Sequence, residues 1–342
     1  MPTDFANPPE LGVDAPRGWP ALISVVVPCY NEEAVVNVLH ARLCAVLDAL
    51  PARYEIVFVN DGSRDGTLRN LLELAHLHTN LRIVDFTRNF GHQVAVSAGL
   101  EYAVGDVVVL IDADLQDPPD LIPDMLAKWR EGYDVVYAVR QTRNGESWFK
   151  KFTAHAFYKA VARMTDVSIP VDTGDFRLIS RSVVDDLLKI RERHRFIRGL
   201  VSWVGYNQVG IPYHRDRRYA GESKYPLRKM LVFAFDGITS FSIKPLQWAG
   251  YAGFVAAFLG LVGLVWVLAV HFATDAALHG WTSLMVGVLF LGGVQLLVLG
   301  VLGEYVGRIY DEVRQRPLYL VRRVYGAHLE EPLRIGDCSR PQ

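Results

Sequence analysis

Two stretches without a single charged residue, Leu246 to Val270 and Trp281 to Gly303, constrain this chain more than any other feature. Each exceeds the roughly 20 residues that a helix needs to cross a bilayer. One such run could be a helix buried in a soluble core; two in succession point to a transmembrane hairpin with spans at about 246–270 and 281–303. Lys224, Arg228, Lys229 and Lys244 precede the first span, and Arg308, Arg314, Arg316, Arg322 and Arg323 follow the second. The connecting loop, HFATDAALHG, has neither Lys nor Arg. Basic residues mark the cytoplasmic side, so both termini are expected there, with the loop outside.

The 342 residues leave room for a large cytosolic domain before the hairpin. A formal net charge of −1 provides no basic field for nucleic acid. Cys29, Cys44 and Cys338 lie far apart, which suits a reducing compartment and excludes a disulfide framework or a spaced metal motif. Residues 1–20 contain prolines and acids but no apolar h-region, so a poorly ordered leader is expected rather than a signal peptide.

Residues 21–225 read as the cytosolic domain. Apolar, β-branched runs at 23–28, 54–60, 81–86, 106–111 and 134–139 predict strands covered on both faces. Helical patterns at about 33–49, 66–78, 92–103 and 119–131 lie between them. That order predicts a doubly wound, mostly parallel α/β sheet. Further short strands are expected in GDFRLIS and YNQVGIPYH. Residues 226–243 form an amphipathic segment that would lie at the membrane interface, residues 244–308 carry the two spans, and 309–342 form a cytosolic tail. In open α/β sheets, ligands bind beyond the carboxyl ends of the strands. Here those ends carry PCYNEE, NDGS, TRNFG and DADLQD, with no GxGxxG or GxxxxGK[ST] loop.

The stretch VVVLIDADLQDPPD, residues 107–120, runs from a buried strand straight into acids. Asp112 and Asp114 are two apart, so on an extended chain both point the same way, roughly 6.5 to 7 Å apart. Such a pair can share a hard divalent cation, or one can ligate while the other holds a sugar hydroxyl. Mg²⁺ and Mn²⁺ prefer oxygen ligands completed by phosphates and water. Asp114 is the expected ligand, with Asp112 and Gln116 beside it. Asp117 and Asp120 either join them or do no more than start the following helix.

VVVPCYNEE, VNDGSRDGT, RNFGHQVAVSAGL, DADLQDPP, TGDFRLISR, RFIRGL and GESKY occur in that order. Together with the hairpin, they resemble the inverting GT-A glycosyltransferases of family 2, in the branch acting on polyprenyl phosphates. The bacterial bactoprenol (undecaprenyl-phosphate) glucosyltransferase type is the nearer match and dolichyl-phosphate mannose synthase a more distant one. The resemblance spans about residues 21–325. It implies a GT-A fold in the bacterial inner membrane and transfer of a hexose from a nucleotide sugar, UDP-glucose first, to undecaprenyl phosphate. The lipid-linked sugar would serve cell-envelope glycosylation.

The resemblance also implies roles for residues. Pro28, Tyr30, Glu32 and Asp61 match the nucleotide pocket, Asp112 is shared by metal and nucleotide sugar, and Asp114 carries the metal. Asp175, in TGDF, stands where inverting enzymes often place a base, and would more readily orient donor hydroxyls or acceptor. A lipid phosphate with a second pKa near about 6 is already ionised and needs no base. Its dianionic head needs cations instead: Arg140, Lys151, Arg217, Arg218 and Lys224 are the candidates. Arg195 and Arg198, in RFIRGL, are expected to line the donor site. Arg88 and Asn89 either face the diphosphate or fix a loop. Asp65 and Thr67 read as caps, and His92, His155 and His194 as isolated structural residues. Self-association, as a tetramer, is expected through the glycine-bearing spans and the tail. A processive polysaccharide synthase shares this catalytic fold, but its Q-x-x-R-W motif is replaced here by RFIRG, and two spans are few for a polymer channel. A non-catalytic scaffold or translocation subunit would have no use for the acids at the strand ends.

Overall fold

A computed structural model of the chain describes residues 16–140, 173–193, 195–213, 244–273 and 281–326. Among these, 244–273 and 281–316 belong to one compact unit and the remainder to another.

The larger unit begins as the alternating pattern predicts: β1 (Leu22–Cys29), α1 (Val36–Leu47), β2 (Arg53–Asn60), α2 (Thr67–Leu77), β3 (Leu81–Phe86), α3 (His92–Tyr102) and β4 (Val107–Leu110). A 3₁₀ turn (Pro119–Leu121) runs into α4 (Ile122–Arg130), followed by β5 (Val135–Arg140). Then come β6 (Thr173–Ser180), α5 (Arg181–Lys189), α6 (Ile197–Trp203) and β7 (Gln208–Tyr213). The last strand, β8 (Val321–Tyr325), arrives only after the apolar helices. The eight strands form one sheet in the order β7-β5-β6-β4-β1-β2-β3-β8. β1 pairs parallel with β2 and β4, β2 with β3, and β5 with β7. β6 runs antiparallel between β4 and β5, and β8 antiparallel to β3. The mostly parallel α/β expectation holds.

Near-continuous apolar strands follow from burial on both faces. Ile23, Val25 and Val27 of β1 point into a core completed by Leu39 and Leu43 of α1, Leu71 of α2 and Met125 of α4. Val26 points the other way, onto α3. There Gly99 lets the helix lie close: an added Cβ would overlap Val26 Cγ1. Gly99→Ala should therefore lower stability by about 1–2 kcal/mol, overpacking outweighing the helix-propensity gain. Thermal unfolding in detergent checks this, and a Tm at or above wild type would contradict the close packing.

Pro28 sits near the end of β1, a central strand, without breaking the sheet. Even-numbered residues of β1 bond toward β4, as Val26 O accepting Ile111 N shows, and pairing with β4 ends there. The N–H that proline lacks would thus face a side with no further strand.

In the second unit, α7 (Lys244–Ala273) and α8 (Trp281–Val313) have 30 and 33 residues, about 45 and 50 Å at 1.5 Å per residue. Both are long and apolar enough to cross a membrane. Large side chains such as Phe254, Trp266 and Leu296 are exposed, unlike those of a soluble core helix. α8 continues past the charge-free run, supported by a Glu304–Arg308 pair one turn apart (3.0 Å). The segment then expected as tail returns to the larger unit as β8.

Candidate active site

The carboxyl ends of β1, β2, β3 and β4 gather the polar clusters at one edge of the sheet. Loop 30–33 is tied to loop 60–67: Asn31 N donates to Ser63 Oγ (3.0 Å) and Glu32 N to Thr67 Oγ1 (2.8 Å). Asp65 Oδ1 accepts from Thr67 N (3.1 Å), in keeping with a local capping role. Tyr30 is exposed at the end of β1, and Glu32 half-buried beside it. Asp61 is buried and brings both oxygens to loop 87–91, accepting from Phe90 N (2.6 Å) and Gly91 N (3.0 Å). Burial raises its carboxyl pKa, against those two bonds.

β4 and β6 then bring the acids together. Leu110 lies opposite Arg177 in the antiparallel register, so just beyond the end of β4 Asp112 comes close to Asp175. Asp175, nearly buried, takes His92 Nε2 on Oδ2 (2.8 Å) and Arg198 Nε on Oδ1 (2.6 Å). Burial pushes its carboxyl up, but Arg198 and His92 together hold it well below the usual carboxylate range. His92 is also 3.7 Å from Asp112 Oδ1. Burial lowers its imidazole, yet the bond to Asp175 and the charges of Asp112 and Asp175 raise it to about 9. His92 is thus no isolated structural residue; only its place at the start of α3, in the connection beyond a parallel strand, signalled a site.

Burial pushes the Asp112 carboxyl up to about 6, with Asp175, Asp117 and Asp114 adding to the rise against His92. Asp114 is half-buried, and its Oδ1 accepts from Gln116 N (3.1 Å) in a turn whose buried Leu115 adopts a left-handed φ of 58°. Strain of that kind concentrates at functional sites. Ligand atoms of His92, Asp112 and Asp175 all lie within 4.8 Å of one another. Asp175 is already neutralised by Arg198 and His92. Asp112, raised by burial and its acidic neighbours, would be relieved by a cation, so the Asp112–Asp114 end of the group fits a divalent ion. The compact set centres on Asp112 and takes in His92 and Asp175, whereas the sequence pointed along the chain to Asp114 and Gln116.

The remaining candidates divide. Asp117 caps no helix; it is buried and accepts a hydrogen bond from Tyr213 Oη of β7. Arg140 Nε reaches the same hydroxyl (3.3 Å), and its guanidinium lies against Gly174, next to Asp175. Arg195 turns away from the acids: its guanidinium donates to the carbonyls of Leu187 and Ile190 at the end of α5. Arg177, which no motif suggested, is buried and donates to Gly174 O (3.0 Å) and Asp175 O (3.4 Å), fixing the TGDF backbone. Burial lowers its pKa to about 10, so it stays charged. Lys151, Arg217, Arg218, Lys224, His155, His194 and the 226–243 segment lie outside the described residues.

The acids and their cationic partners thus gather at the carboxyl edge of the α/β sheet, where ligands bind in open α/β folds. The model of the family described as Glycosyl transferase family 2 matches residues 24–188. The glycosyltransferase YkcC of Bacillus subtilis is 52% identical over 303 residues, covering 89% of this chain and 94% of that one. The glycosyltransferase sll0501 of Synechocystis is 49% identical over 304 residues (89% and 96%). The SfII prophage-derived bactoprenol glucosyl transferase of Shigella flexneri is 42% identical over 301 residues (88% and 97%). By likeness of this degree over nearly nine-tenths of its length, the chain belongs to glycosyl transferase family 2.

Proposed function

We propose that the chain moves a hexose, glucose first, from UDP-sugar to undecaprenyl phosphate with inversion, at the cytoplasmic face of a bacterial inner membrane. The observation that carries this reading is the close approach of Asp112, Asp175 and His92 at the mouth of the sheet, flanked by Arg198 and Arg140, in a chain that also carries two membrane-length helices. Relatives named as bactoprenol glucosyl transferases support the choice of donor and acceptor. The return of β8 to the sheet after α8 supports a hairpin that crosses an even number of times, with residues 16–213 and 317–326 on one side.

A divalent cation, Mg²⁺ or Mn²⁺, held by Asp112 and Asp114 with Gln116 beside them, would neutralise charge on the departing diphosphate. Tyr30 offers a face for the base, with Glu32 beside it for uracil or ribose. Asp175, immobilised by two cationic partners, orients donor hydroxyls rather than accepting a proton. Arg140, with Lys151, Arg217, Arg218 and Lys224, receives the acceptor phosphate, whose ionised oxygen attacks the anomeric carbon as UDP leaves.

The test is a panel of radiolabelled nucleotide sugars with undecaprenyl phosphate, divalent cation and the purified full chain. A chloroform-soluble lipid carrying a single sugar, formed fastest from UDP-glucose, is expected. A water-soluble polymer would establish a processive synthase instead, and absence of nucleotide-sugar binding by calorimetry would leave a non-catalytic scaffold. Light scattering in detergent reads the expected tetramer.

A further inference from the structure

We propose that the strand arriving after the apolar helices, through Tyr319 and Arg322, is a positioning element for loop 87–92, so that the donor side of the site is completed by chain that follows α8. The inference rests on the reading of that loop as the border of the donor pocket.

The loop leaves β3 at the point where pairing with β8 becomes irregular, between Asp85 and Phe86. Both backbone groups of Thr87 are taken by the returning segment: its N–H donates to Leu320 O (3.0 Å), and its carbonyl accepts from Arg322 Nη2 (3.1 Å). Arg322 Nη1 stands 3.5 Å from Oδ2 of Asp85, a buried carboxylate whose Oδ1 accepts from Asn60 Nδ2 (2.7 Å). Tyr319 stacks on Phe86 with centroids 5.0 Å apart, and Phe86 meets Phe90 edge-on at 5.6 Å. The Tyr319 hydroxyl is anchored on Glu101 of α3. From Phe90 the chain passes to the two amides held by Asp61 and then to His92 on Asp175.

A strand that only covered the edge of β3 would need ladder bonds and nothing more. Here the returning segment reaches past the ladder: Arg322 grips the first residue of the loop, and Tyr319 stacks on Phe86, the last residue of β3, against which the loop's Phe90 packs. A misplacement of about 1 Å in such a loop is enough to reduce turnover strongly. The segment therefore sets where Arg88, Asn89 and His92 stand.

Arg322 is well exposed, so Arg322→Ala in the full chain should fold, and Tyr319→Leu removes the stacking separately. In both variants, hydrogen exchange should quicken at amides 87–92 and stay unchanged in α1. UDP-glucose affinity should fall about tenfold while KM for the lipid phosphate stays constant. Arg322→Lys, keeping the charge near Asp85 but not the forked donor, should recover only part of the loss. Unchanged exchange at 87–92 overturns the proposal, as does a uniform rise across the sheet with both KM values and kcat moving together, which would make β8 a plain edge cover. A wild-type chain that binds no UDP-sugar overturns the proposed function and with it the donor role of the loop. The exchange pattern separates that failure from failure of the brace.

Discussion

Asp114→Asn is expected to lower hexose transfer by about 10³-fold or more while leaving the fold intact. The substitution removes a charge and little else. An asparagine Oδ1 can still accept from Gln116 N, so the turn around left-handed Leu115 keeps its internal bond. Asp114 is also one of the acids that raise the Asp112 carboxyl, so losing its charge relieves repulsion, and stability should hold or rise slightly. What the variant cannot do is supply an anionic oxygen to a hard cation. Two measurements belong together: initial rates with saturating Mn²⁺ or Mg²⁺, and titration of UDP with and without Mn²⁺. The Mn²⁺-dependent part of UDP affinity should disappear, and Tm should stay within about 2 °C of wild type. Near-normal turnover with divalent cation supplied would sink the assignment.

The first five strands were legible because β-branched runs covered on both faces leave few other folds open, and their observed ends lie within a residue of those expected. Asp112 and Asp114 were legible for a related reason: packing gives no cause for acids at the end of a buried strand. The rest depended on registers that local patterns do not carry. Asp175 meets Asp112 only because β6 runs antiparallel beside β4, and His92 meets Asp175 across 83 positions of sequence. Arg195 and Arg198 share one motif, yet the start of α6 sends one to the end of α5 and the other to Asp175. Asp117 read equally as a metal ligand or a helix start, whereas it accepts a hydrogen bond from Tyr213, 96 residues away. β8 was hidden by brevity and by its position, five residues with two adjacent arginines after a membrane hairpin.

Asp175→Asn is the second large effect, and it separates a base from an anchor. Both carboxylate oxygens of Asp175 are engaged by cationic donors, and its side chain is only 9% exposed. An amide can accept from one of them, and its NH₂ group must then face the other cation. Loss of charge at a partly buried ion pair should cost about 2 kcal/mol of stability, less than a full burial would, because His92 and Arg198 retain access to water. Activity should fall about 10²-fold, through kcat/KM for the donor, as His92 and Arg198 lose their common anchor. The pH profile is what discriminates. Burial alone would raise Asp175, but Arg198 and His92 hold it well below the usual range, and a carboxylate so stabilised is a poor proton acceptor near neutral pH. The phosphate nucleophile is already ionised above a pKa near about 6 and requires no such acceptor. The acid limb of the kcat/KM profile for the lipid phosphate, followed from about pH 5 to 9, should therefore survive in Asp175→Asn, because acceptor ionisation and the Asp112 carboxyl, raised to about 6, both remain to produce it. A flat profile in the variant, with the limb gone, would make Asp175 the base and return the catalytic burden from the cations to a single carboxylate.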